Sequence, residues 1–127
     1  MAELTTIEGL VFHFNAGAVT AVADHDADTL QAVTTVYGVT DGQLRIGESV
    51  GGFLRRIGVA GSFAKLTRVN GTFIWVNSGA VTAVRASDPD EYPASARALV
   101  SVGTLTQAVR ETVAEVMRVV NAHGGKL

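Results

Sequence analysis

The sequence predicts an α+β protein, mainly β, made of two tandem repeats, each a bent antiparallel sheet of about five short strands followed by one C-terminal helix. Three observations lead there: an internal duplication, short β-branched runs separated by turn residues, and a capped helical pattern closing each half. Glu3–Val22 aligns on Lys65–Val84 without a gap and matches at 10 of 20 positions, where average composition predicts about one or two. The identities are Leu4/Leu66, Thr5/Thr67, Gly9/Gly71, Asn15/Asn77, Gly17/Gly79 and the stretch Ala-Val-Thr-Ala-Val, Ala18–Val22 against Ala80–Val84. Similarity resumes at Glu48–Ile57 against Glu111–Val120. The repeats therefore span 1–60 and 61–127, with Gly58–Ser62 as the joint. One bent sheet and one short helix bury little apolar area, so the two repeats are expected to pack as a pseudo-twofold pair in a single compact domain.

Taken in order, Leu4–Ile7 and Val11–Phe14 flank a turn at Glu8-Gly9, and Leu66–Val69 and Thr72–Val76 flank Asn70-Gly71, a two-residue hairpin signal. Val19–Val22 and Val81–Val84 read as a third strand, and Gln31–Val39 and Ala96–Val102 as a fourth. Turns at Asp41-Gly42 and Gly103 lead to final strands ending near Ile46 and Val109. The helices close the repeats. Val50, Phe53, Leu54 and Ile57 fall on one helical face, with Gly58 where a left-handed C-terminal cap belongs. Val113, Val116, Met117 and Val120 do the same, behind a Thr112-x-x-Glu115 capping box and ahead of Gly124.

Composition bounds the function. The chain has 127 residues, 47% of them apolar and 17% charged, against a usual charged share of about 25%. This is the opposite of a disordered composition. With no Cys, disulfide scaffolds, thiolate zinc sites and Cys nucleophiles are excluded together. No apolar run approaches the ~18 residues a membrane span needs, and residues 1–20 carry no secretion pattern, so the expected location is cytoplasm or virion. A net charge of −2 argues against a general nucleic-acid binder. The charge is sorted, however. Residues 1–42 hold six acids and no Lys or Arg, whereas residues 43–69 hold Arg45, Arg55, Arg56, Lys65 and Arg68 against Glu48. An acidic start and a basic middle attract between copies and favour head-to-tail association.

The second repeat, with Leu66-Thr-Arg-Val-Asn-Gly71, a strand to Asn77, Ala80–Val84 and Glu111-Thr-Val-Ala-Glu-Val116, resembles the small flagellar FlbD-like proteins. The first repeat keeps Asn15 and Glu48-Ser49-Val50 but has neither the Arg nor the Asn-Gly turn. Val36–Ile46 looks like the closing strands of LytTR-type DNA-binding domains. The first resemblance implies a β-rich, motility-linked interaction module without catalytic residues. The second implies a regulator using Arg45, Arg55, Arg56, Lys65 and Arg68 as phosphate contacts.

Candidate chemistry is sparse. Asp24-His-Asp-Ala-Asp28 starts like a calcium loop, making Asp24, Asp26 and Asp28 weak metal candidates, but Thr29 and Thr35 stand where Gly and a bidentate Glu are required. The matching Ser87–Pro93 is acidic and turn-forming. His13 aligns with Trp75 and reads as a packing position, and Phe73, Trp75 and Tyr92 read as core and corner packing before a binding platform. Gly47-Glu-Ser-Val-Gly51 has the letters of a nucleophile elbow, but Ser49 aligns with Thr112 at a helix N-cap, and the chain is too short for that hydrolase fold. Asn15 and Asn77 are expected to bond backbone at a bend. No nucleotide-binding motif occurs, and no cofactor or catalytic set is expected. The favoured reading is a non-enzymatic structural protein that self-associates or docks on a larger assembly, its composition resembling phage decoration or tail-associated proteins. A DNA-binding regulator and a motility module are the alternatives, with no membrane partner.

Overall fold

The computed structural model describes residues 2–24, 34–88, 90 and 92–127, and the chain divides into two units, Met1–Gly61 and Ser62–Leu127. Both units run through the same order of elements: a hairpin, a 3₁₀ turn, a three-stranded meander and a helix.

In the first unit, β1 (Ala2–Thr5) pairs antiparallel with β2 (Val11–Phe14), Glu3 opposite His13 and Thr5 opposite Val11. The Asn15 side chain then accepts from the Gly17 N–H at 2.9 Å and caps the 3₁₀ turn Ala16–Ala18. The turn redirects the chain into β3 (Ala21–Asp24), which pairs with β4 (Thr34–Tyr37), itself paired with β5 (Gln43–Ile46). Helix α1 (Val50–Ile57) starts at Ser49, whose Oγ accepts from the Gly52 N–H at 3.1 Å. It ends at Gly58, φ +82°, where the Gly58 and Val59 N–H groups take the Arg55 and Leu54 carbonyls. Leu4, Val19, Val22, Val36, Ile46 and Phe53 are fully buried. Phe53 alone contributes about 2–3 kcal/mol by leaving water, and its ring packs on Phe14 at 6.3 Å.

The second unit repeats the plan with β6 (Phe63–Thr67), β7 (Phe73–Asn77), the Asn77-capped turn Ser78–Ala80, β8 (Val81–Ala86), β9 (Ala98–Val102) and β10 (Leu105–Val109). Helix α2 (Val113–Ala122) opens with the expected reciprocal capping box of Thr112 and Glu115 and packs on β6, β8 and β9 through Val116 and Val120. Equivalent bridges tie each hairpin tip to the last strand of its meander. Thr6 bridges Ile46 and Arg68 bridges Val109, with Ile7 N–H donating to the Arg45 carbonyl and Arg110 N–H to that of Thr67. Among the described residues no helix is long and apolar enough to cross a membrane.

The structure corrects the expected sheet. Among the described residues ten strands lie in three sheets, not in one bent sheet per repeat each followed by a helix. β1–β2 is a two-stranded sheet of its own, and β8–β9–β10 is a separate three-stranded one. The physical reason is the Asn-capped 3₁₀ turn, which satisfies backbone groups locally and breaks the ladder after each hairpin.

The hairpin turns differ too. Gly71 adopts φ +91° while Asn70 stays at negative φ, which excludes the two-residue type I′ turn, since that needs positive φ at both positions. Instead Arg68 N–H donates to the Thr72 carbonyl and Gly71 N–H to that of Arg68, a longer loop that also ends β6 at Thr67. The fourth strand stops at Tyr37 because Gly38 turns to φ +103° against the Ala18–Thr20 backbone.

Candidate interaction surface

Each hairpin has an outward face set by the strand period of two. On the first it is Glu3, Thr5, Val11 and His13, all exposed, with the His13 Nδ1 3.7 Å from a Glu3 oxygen. The equivalent face of the second is Lys65, Thr67, Phe73 and Trp75 in the same register, Lys65 opposite Trp75 and Thr67 opposite Phe73. The Lys65 ammonium sits 4.0 Å from the Phe73 ring centre and 5.5 Å from that of Trp75. The two rings meet edge to face at 6.2 Å. Duplication has thus reversed the charge at one position of the face and exchanged His for Trp opposite it.

This corrects the reading of His13. The side chain is 65% exposed, paired with a carboxylate rather than packed. A hairpin face open to solvent accepts an imidazole there as readily as an indole. Phe73 and Trp75 are only half-buried, so they line a surface under a cation rather than a core.

The predicted basic residues fall in both units: Arg45 on β5 and Arg55 and Arg56 on α1 in the first, Lys65 and Arg68 in the second. Arg45 and Arg55 are exposed. The Arg56 guanidinium forks onto Glu48 at 2.9 and 2.7 Å, and that hydrogen bond raises its pKa further above the ordinary Arg value. Arg68 Nε donates to Thr72 Oγ1 at 2.8 Å. Arg56, Lys65 and Arg68 are thus already engaged within the chain.

Of the acidic-loop candidates, Asp24 ends β3, and Asp26 and Asp28 lie outside the described residues. In the matching loop, Asp88 accepts from the Asp90 N–H at 2.9 Å and Ser87 Oγ donates to the Ala96 carbonyl, an ordinary turn-forming arrangement. Among the described residues no group of three His, Asp or Glu side chains is placed to hold a metal ion. Ser49 spends its hydroxyl on the α1 cap, and Asn15 and Asn77 bond their turns, as their alignment predicts.

A feature that residue types alone could not reveal lies on β8. Of the repeated Ala-Val-Thr-Ala-Val, the first unit fully buries Val19, Ala21 and Val22 and leaves Ala18 exposed and Thr20 half-buried. In the second unit Thr82 and Ala83 are exposed and Val81 and Val84 half-exposed. Among the described residues β8 is the edge of its sheet, hydrogen-bonded to β9 alone. Identical letters cannot announce different burial; the structure had to show it. The charge reversal from Glu3 to Lys65, in contrast, was readable from the alignment. Leu10 and Val11, entering β2, are 59% and 55% exposed and add an apolar patch to the opposite unit. No family model, curated protein or solved structure matches this chain.

Proposed function

We propose that the protein is a non-enzymatic structural component that associates with further copies of itself, the composition favouring a virion decoration or tail-type assembly. The observation that carries this reading is the exposed edge of β8. A pentapeptide whose Val19, Ala21 and Val22 are fully buried in one repeat has its counterparts Val81, Ala83 and Val84 exposed or half-exposed in the other, on a strand whose outer backbone groups have no partner strand among the described residues. Open edges are protected in most proteins by Lys, Pro, bulges or very short strands. β8 runs for six residues with no Pro and no Lys, although its pairing with β9 carries one register shift between Val81 and Ala83.

Charge supports the same occupant. The first unit holds seven acids and three bases, net −4, and the second five acids and seven bases, net +2. Opposite net charges on the two units favour unlike ends meeting between molecules. The DNA-binding alternative loses support because Arg56, Lys65 and Arg68 are engaged internally.

Sedimentation velocity across a protein dilution series, at low and at high salt, tests the reading. Species larger than the 13.2 kDa chain, weakening with salt, are expected. A monomer at every concentration overturns it, and salt-dependent retention of that monomer on duplex DNA would move the assignment to a regulator.

A further inference from the structure

We propose that assembly proceeds by strand addition, with β2 of one copy pairing on the open edge of β8 in the next. This rests on the self-association reading and names its interface.

Both strands are open edges among the described residues: β8 ends the β10-β9-β8 sheet, and β2 is paired there only with β1. β1 is the poorer edge of its hairpin, since the chain just beyond it already bonds β5 through Thr6 and Ile7. β2 is Val-Phe-His-Phe, with no Pro, Lys, Arg, Asp or Glu to blunt it, and Leu10 and Val11 stand exposed at its entry. Backbone pairing supplies affinity in strand addition, and alternating side chains supply specificity.

Here the side chains suit each other. β8 offers small and β-branched Val81, Thr82, Ala83 and Val84, which leave room for the bulkier residues of β2. Its exposed Arg85 lies on the net positive unit, while Glu3 and Glu8 flank β2 on the net negative one. The occupant is therefore a second copy, presented by its first unit.

Two different surfaces meet in such a contact, so it is heterologous. Every added copy leaves one β2 and one β8 open at the ends, and the assembly either closes into a ring or grows.

Complementation by two blocked variants tests this. Val11→Lys places a charge on the β2 edge, and Ala83→Lys places one on the β8 edge. Both sites are exposed, and circular dichroism verifies that each variant keeps its fold. Each variant alone is expected to be monomeric, and an equimolar mixture is expected to stop at a one-to-one dimer, joined through the unblocked edge of each. Variants that assemble like the parent chain overturn the interface while leaving self-association standing. Two monomeric variants whose mixture stays monomeric also overturn it, because they point to a symmetric contact. A parent chain that is itself monomeric fails the underlying reading instead.

Discussion

Gly38 gives the sharpest test of the fold that presents these edges. A Cβ built there lies 2.3 Å from the Ala18 carbonyl oxygen and 2.7 Å from the Thr20 nitrogen. An ordinary carbon–oxygen contact is roughly 3.3 Å, so Gly38→Ala must push the Ala18–Thr20 backbone away by about 1 Å. The separation sacrifices the bond from the Thr20 N–H to the Tyr37 carbonyl, 3.0 Å long, which is worth about 1 kcal/mol. The left-handed φ of +103° adds strain for an L side chain, of about 1–3 kcal/mol. The sum is about 3 kcal/mol, and it corresponds to a fall in melting temperature on the order of 10 °C for a chain of this size. Gly42→Ala is the control. Nothing lies within 4 Å of its Cβ, and the change is expected to be neutral or stabilising by about 0.5 kcal/mol. Urea denaturation followed by far-ultraviolet circular dichroism reads both. A Gly38→Ala midpoint within about 0.5 kcal/mol of the parent would refute the close approach that ends β4.

Three further outcomes are expected. Thr112→Ala removes the α2 cap and costs about 1 kcal/mol in denaturant. It also changes the acid limb of stability. The Thr112 hydroxyl, then its backbone N–H, holds the Glu115 carboxyl below its ordinary 4.5, so that stabilisation is present above the ordinary value and lost as pH falls through the lower folded one. The variant should lose less stability over that interval, and an unchanged acid limb would refute the coupling. Ser78→Ala is expected to stabilise by about 1 kcal/mol, because the Ser78 Oγ is buried without a hydrogen-bond partner among the described residues; a destabilised variant would contradict that. Arg56→Ala should cost less than ~0.5 kcal/mol and nothing measurable in high salt, since the Arg56 and Glu48 side chains are 41% and 38% exposed; a salt-insensitive loss would show that the fork does more than pair two surface charges.

The features of this fold that were legible in the sequence are local ones. Ser49, Gly58, Thr112 and Glu115 act as caps because capping depends on a few adjacent residues, and the structure places all four in that role. Asn15 and Asn77 were readable for the same reason. The sheet organisation was not, because ladder continuity after β2 depends on where the Asn-capped turn points the chain. The Asn70-Gly71 dipeptide is compatible with a longer loop once the Arg68 N–H bonds the Thr72 carbonyl and the Arg110 N–H bonds that of Thr67, so the type of this turn is not legible in the two letters alone. Of the candidate surface, the sign change from Glu3 to Lys65 was visible by aligning the repeats, but the exposure of Ala83 against the burial of Ala21 is a property of environment.

Trp75 is the single tryptophan of the chain, and it belongs to the second unit. Its half-buried indole lies under the Lys65 ammonium. The duplicated architecture is consequently labelled on one side only. Intrinsic fluorescence excited at the indole band reports on Ser62–Leu127, whereas circular dichroism sums over both repeats. The agreement or divergence of those two signals during unfolding therefore measures, without any added dye, whether the halves of the duplication melt as one cooperative body or in turn.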